Sequence, residues 1–320
     1  MRTFNEKRFF TATATLLALL LALSLPAALL AACDGGHEDD INVKLYLTDE
    51  DRTLELPFNE LLVGAVCALI DLEVEYPDEA MRAISLSVES MLLFLCGKCE
   101  HADAKGVDFC DSTDSGGTPY LSKDQLCESL GSARAESMWE SVSNISASVL
   151  GLAVCHEGEI ALALCHESSY LLTEDASEIF PYLRSVRSYE EKIESITRIE
   201  TRVAEARIYG RYGTNAEKIS IHSRRPSGRV DKVSIGKMSV DGDDFARLMG
   251  LPSSDFTIER VGNEYVFRSL GSGNGLGLSR QGAVAMASEG YDAEAIIENY
   301  YPGTTIERVD LSQVLSNSRS

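Results

Sequence analysis

A charge-free run near the N-terminus decides where this chain can fold. "MRTFNEKR" carries three basic residues, and Phe9 to Ala32 carry no charge at all. A basic segment followed by an apolar one has the pattern of an export signal. The run is about 24 residues, long enough to cross a bilayer. Pro26 interrupts it, and Leu30-Ala31-Ala32-Cys33 closes it in the pattern of a bacterial lipobox, whose cysteine is lipidated and becomes the new N-terminus. An uncleaved anchor is the alternative, and both place the remaining chain outside the membrane and attached to it. The expected division is signal peptide or anchor over 1–33, polar tether over 34–43 ("DGGHEDD" at its start), a folded domain over 44–310 and a tail over 311–320.

An extracytoplasmic location changes how the cysteines read. Eight cysteines less a lipidated Cys33 leave seven, so at least one thiol stays unpaired or pairs between chains. "CGKCEHADAKGVDFC" gathers Cys96, Cys99, His101 and Cys110. Such a knuckle fits a zinc site, a disulfide in an oxidising compartment, or buried thiols. "CHEGEIALALCHES" repeats Cys-His-Glu, but it reads as a hairpin turning at Glu157-Gly158, with Cys155 opposite Ile160. His166 then lies about six residues along the strand, roughly 20 Å away, so the two triplets do not share an ion.

Fifty acidic against 29 basic residues give a net charge of −21. Nucleic acid is therefore not an expected partner, because phosphate binding needs a basic surface. No cofactor is expected either. "GSGNGLGLSRQGA", Gly271 to Ala283, alternates glycines but completes neither the dinucleotide fingerprint nor a P-loop. Alternate glycines instead let a backbone pass close to a neighbour.

Apolar spacing predicts strand and turn over 42–56, then two helices broken near Tyr76-Pro77. Leu61, Leu62, Ala65, Val66 and Leu69 line the first; Met81, Ile84, Val88, Met91, Leu92 and Leu95 line the second. Pro77 stands at the second helix's start, with Asp78 and Glu79 in its first turn. A polar loop is expected over 106–123, a helix over 125–143, the hairpin at Gly158, and an amphipathic helix over 190–208 carrying Ile193, Ile196, Ile199 and Val203. "RRPSGRVDKVSIGKMSVDG" reads as strand-turn-strand; helices near 281–289 and 293–300 follow the glycine stretch. With 44% hydrophobic residues and no internal repeat, the expectation is a single mixed α+β domain.

"LPFNELLVGAV", "YPDEAMRA", "PYLRSV", "SGRV", "LMGLPSSDF" and "GNGLGLSRQGAVAMASEGYDAEAIIENYYPGT" together resemble the stage II sporulation protein D family, also called the amidase-enhancer family, from about Leu54 to Ile306. The resemblance implies helices and antiparallel strands around a glycan groove. It also implies a peptidoglycan partner, a role in sporulation and engulfment, and either lytic transglycosylase activity or stimulation of a wall amidase or other hydrolase. In such a reaction one glutamate protonates the glycosidic oxygen and then takes a proton back from the C6 hydroxyl. The implied groove residues are His166, Ser168, Ser169, Gly273, Asn274, Gly275, Gly277 and Ser279.

The chain departs from that pattern at its chemistry. Counted from Gly64, the family's acid falls on Leu69, which has no proton to give; counted back from Pro77 it falls on Asp71, with Glu73 and Glu75 beside it. Family Gln and Arg positions read Ile84 and Glu89, the glycine stretch's His reads Asn274, its Gln Arg280, and its aromatic Gln281. A Cys/His metal pair of some members survives only as Cys110, with Asp114 and Ser115 beyond. The expectation is a wall-associated protein with impaired or lost cleavage. An active transglycosylase using Asp71 or Glu73, and a partner of a wall hydrolase, remain as alternatives.

Overall fold

The computed structural model describes residues 41–190, 198–213 and 218–317. Cys33, the expected signal or anchor segment and most of the expected tether lie outside them, and no helix among the described residues is long and apolar enough to cross a membrane.

The chain enters through a hairpin of β1 (Asn42–Leu47) and β2 (Arg52–Pro57), close to the expected 42–56. Pro57 ends the strand and fixes the backbone before helix α1 (Phe58–Leu69). After a turn, Pro77 precedes α2 (Asp78–Leu95) as expected, with Asp78 and Glu79 in its first turn, where the helix dipole favours acidic side chains. The apolar stripes of α1 and α2 meet: Leu61, Leu62, Ala65, Val66, Ile84, Val88 and Leu92 are all almost fully buried. Each such side chain contributes about 1.5–3 kcal/mol relative to exposure.

Residues 106–123, expected to be loop, are more ordered than that. A short helix, α3 (Ala102–Lys105), leads to β3 (Phe109–Cys110), which joins β1 in parallel through Leu45 and Tyr46. The expected 125–143 helix is two helices, α4 (Lys123–Leu130) and α5 (Ser132–Val149). Gly131, at φ +79°, breaks them where a β-carbon would be strained. Ser122 and Gln125 close a reciprocal capping box at the start of α4.

β4 (Leu152–His156) and β5 (Glu159–Ile160) form the expected hairpin, with Cys155 opposite Ile160. The chain then leaves that strand and pairs elsewhere, as β6 (Cys165–His166). The described part of the expected 190–208 helix is mostly strand. Residues 191–197, including Ile193 and Ile196, lie outside the described residues. Arg198–Ala204 is strand β7, followed by a short helix, α6 (Glu205–Tyr212). Isoleucine at every third position reads as a helical stripe, but pairing with the later strand at Glu264–Leu270 wins for Ile199 and Val203. β8 (Ile219–Arg224), β9 (Val230–Ile235) and β10 (Met238–Asp241) make one antiparallel sheet. Helix α7 (Gly242–Met249) covers it, capped by the Asp241 carboxylate. β11 (Phe256–Val261) and β12 (Glu264–Leu270) complete a second sheet with β7.

These elements from 198 to 270 enclose a core of their own, in which Phe245, Phe256 and Phe267 pack ring against ring. The glycine stretch carries the chain back. β13 (Leu278–Ser279) pairs in parallel with β6, and α8 (Arg280–Ser288) and α9 (Ala293–Tyr300) return to the main core. β14 (Thr305–Arg308) pairs with β4, and α10 (Leu311–Asn317) buries Leu311 and Leu315 in the main core. Residues 311–317, expected as part of the tail, therefore belong to the folded unit, as does Val43 at the tether's expected end. The result is an α+β domain with two hydrophobic centres, joined at a seam where the glycines lie.

Candidate functional site

The four glycines from Gly271 to Gly277 all have positive φ, between +67° and +92°. A β-carbon on Gly271 would stand 2.5 Å from the Ser168 carbonyl oxygen, on Gly275 2.5 Å from Arg229 Nε, and on Gly277 2.0 Å from the Leu164 carbonyl oxygen. The alternation is thus a wrapping device. It presses the loop onto residues 164–169, and a Ser168–Ser272 bridge and the β6–β13 pair fix the register. Gly273 and Asn274 form the exposed tip, where the Asn274 side chain accepts the Leu276 N–H at 3.0 Å.

His166 sits beneath this loop, 3% exposed. Its Nδ1 is 3.0 Å from the Leu276 carbonyl oxygen, which can only accept, so the proton is on Nδ1 and Nε2 accepts from the Ser169 hydroxyl. Burial, with the nearby Arg229 cation, pushes the imidazole down to about 3, so it stays neutral. A serine–histidine contact oriented by a carbonyl resembles a nucleophile and its base. Here, however, Ser169 is 6% exposed and its N–H, the usual oxyanion donor, goes to Glu190. The pair ties loop to strand.

Glu190 is the hub that sequence reading missed, because it fell inside the expected amphipathic helix. Its carboxylate accepts the Ser169 N–H at 2.7 Å, the Tyr170 N–H at 3.0 Å, the Ser188 hydroxyl at 3.0 Å and the Ser279 hydroxyl. Ser279 in turn caps α8 by accepting the Gly282 N–H at 3.2 Å. Glu174 plays the same part across the seam. It accepts from Arg225 at 3.2 Å and from Ser227 at 3.1 Å, its N–H donates to the Gly275 carbonyl, and Arg229 Nε lies 3.9 Å away. Arg229 also donates to the Gly273 carbonyl at 2.9 Å. Of the implied groove residues, His166, Ser168, Ser169, Gly275, Gly277 and Ser279 are thus gathered but buried, and Gly273 and Asn274 face solvent.

The residues expected at the acid position stand at the end of α1 and just after it. Leu69 packs against the main core. Asp71 and Glu73 are exposed: Asp71 accepts the Glu73 N–H at 2.9 Å, and Glu73 pairs with Arg134 on α5 at 3.0 Å. Tyr76 accepts the Asp71 N–H at 3.1 Å; burial raises its hydroxyl, with Arg280, Asp71 and Glu167 all close enough to act on it. Arg280, 8% exposed, has a buried Nε with no hydrogen-bond partner, and its charge also reaches Cys165 and His166. The position expected to match the family's glutamine thus carries Arg280, at the start of α8. Ile84 is in the core, and buried Glu89 accepts the Gly151 N–H at 2.7 Å; Gln281 donates its N–H to the Glu167 carbonyl.

The cysteine knuckle does not gather as a metal site. Cys96 belongs to the main core, while Cys99 and Cys110 share a small separate cluster and the His101 ring packs on Tyr46 at 4.9 Å. Among the described residues no group of three metal-ligating side chains converges. Cys99 and Cys110 are in hydrogen-bond contact. That contact and the N–H groups of His101 and Ala102 lower the Cys99 thiol to about 7, and the same contact raises Cys110.

No family model matches the chain. It is 27% identical over 282 residues to the stage II sporulation protein D of Bacillus amyloliquefaciens, covering 85% of this chain and 80% of that protein. Against the protein of the same name in Bacillus subtilis (strain 168) it is 25% identical over 278 residues, covering 84% and 80%. A shorter match, 28% identical over 96 residues, is to the amidase enhancer of Bacillus subtilis (strain 168); it covers 29% of this chain and 14% of that protein.

Proposed function

The chain is a divergent member of the stage II sporulation protein D family, and from that premise we propose that it is an extracytoplasmic, membrane-anchored protein of cell-wall remodelling in sporulation that holds peptidoglycan glycan strands without cleaving them. The observation that carries this reading is Leu69. Counted from Gly64 it takes the place where the resemblance puts the acid; it packs against the core, and Asp71, the alternative counted back from Pro77, is exposed, as is Glu73. A general acid for glycoside cleavage needs a carboxyl held in a partly apolar groove.

The test is digestion of purified sacculi with the full chain, followed by chromatography of the released muropeptides. The expected outcome is co-sedimentation with sacculi and no 1,6-anhydro products. Such products, abolished by Asp71→Asn or Glu73→Gln, would establish the active-enzyme reading instead. The amidase-enhancer match and the charge of −21 also support a partner role toward a basic-surfaced wall hydrolase. Capture of such a hydrolase at low salt, lost at high salt, is the expected signature.

A further inference from the structure

A second cleft lies at the opposite end of α1 from Leu69, where α1, the start of α4 and the middle of α5 diverge. It has a volume of about 420 Å³ and is lined by Pro57, Asn59, Glu60, Val63, Lys123, Trp139 and Ser143. That is within the ~300–1,000 Å³ of small-molecule sites. Trp139 is the only tryptophan in the chain, and it is half-buried here with part of the indole left to the cleft. Asn59 Oδ1 is shielded from solvent and has no hydrogen-bond partner, an arrangement that ordinarily costs about 1–3 kcal/mol unless a ligand or water relieves it. Glu60 and Lys123 are exposed and form no ion pair among the described residues.

We propose that this cleft binds a pyranose ring of an N-acetylated glycan. An indole in a cleft offers an apolar face matched to the C–H face of a sugar ring. Asn59 Oδ1 accepts the acetamido N–H, and Glu60 and Lys123 supply an acceptor and a donor for ring hydroxyls. A lone aromatic flanked by one amide acceptor and two opposite charges suits a ligand that is flat on one face and rich in hydroxyls. A purely apolar ligand would leave the shielded Asn59 Oδ1 unpaired. The choice of an N-acetylated glycan rests on the wall-association reading above; the cleft itself is separate from the glycine loop and from Leu69.

Because Trp139 is the sole tryptophan, its fluorescence reports on this cleft alone. The full chain, kept in a detergent without a sugar headgroup, is titrated with tetra-N-acetylchitotetraose and, in parallel, with cellotetraose. Expected are a saturable emission change with the acetylated sugar, at least tenfold weaker binding of cellotetraose, and at least tenfold weaker binding of chitotetraose by Asn59→Ala and Lys123→Ala with unchanged circular dichroism. No saturable change, equal binding of both sugars, or unaltered affinity in both variants overturns the proposal. Sedimentation with sacculi separates it from the reading it rests on. Wild-type binding to sacculi without binding to chitotetraose sinks the cleft alone, and failure to bind either sinks both.

Discussion

Glu190 holds the Ser169 backbone N–H at 2.7 Å while the Ser279 hydroxyl, more than 80 residues away in the chain, reaches the same carboxylate oxygen. One side chain thereby fastens the loop after β6 to the start of α8. The chain has folded two hydrophobic centres around a polar joint, and the joint is where the family resemblance is densest.

Glu190→Gln tests that joint. Glutamine is nearly isosteric but offers one oxygen and an NH2, which would face donors. The carboxylate now accepts four donors, so the variant should lose about 2–4 kcal/mol of stability. Thermal melting of the two proteins at neutral pH measures it; a change below about 0.5 kcal/mol would show that the joint is not maintained in solution.

The pH dependence should carry the mark of His166. Its folded value, about 3, lies below the ordinary 6.5, so between these the unfolded chain binds the proton and the folded chain does not. The contribution is complete above pH 6.5 and is lost as pH falls toward 3, at a slope of up to ~1.4 kcal/mol per pH unit. Urea titrations between pH 7.5 and 5 should show this slope, and His166→Asn should flatten it.

Two glycines separate strain from contact. Gly290 has φ +90° with open space around its missing β-carbon, so Gly290→Ala should cost about 1 kcal/mol from backbone strain. Gly277 has φ +67° and would place a β-carbon 2.0 Å from a backbone oxygen, so Gly277→Ala should cost several times more or prevent folding. Equal losses in the two variants would contradict the wrapped-loop geometry.

Thiol titration followed by ultraviolet absorbance should find one cysteine ionising near pH 7, assigned to Cys99, while Cys67 and Cys155, pushed up by burial to about 12, stay protonated. Cys110→Ala removes the largest cause of the Cys99 shift, and the low-pH transition should then move upward. An unchanged transition would assign it to another thiol.

The first two helices, the β4–β5 register and the helix at Ala293–Tyr300 could be read from the chain alone, because capping, turn chemistry and apolar period act within a few residues. So could the absence of a carboxylate at position 69. The split of 125–143 at Gly131 and the strand at 198–204 could not. A three-residue isoleucine spacing is compatible with either state, and β12, some 60 residues on, decided the strand. Nor could the roles of Glu190, Glu174 and Arg229. A buried charge is tolerable only beside its partners, and those partners come from segments 50–90 residues apart. Local pattern determined the elements; only folding across the seam decided which charges are buried together, because long-range pairing leaves no periodic trace in the sequence.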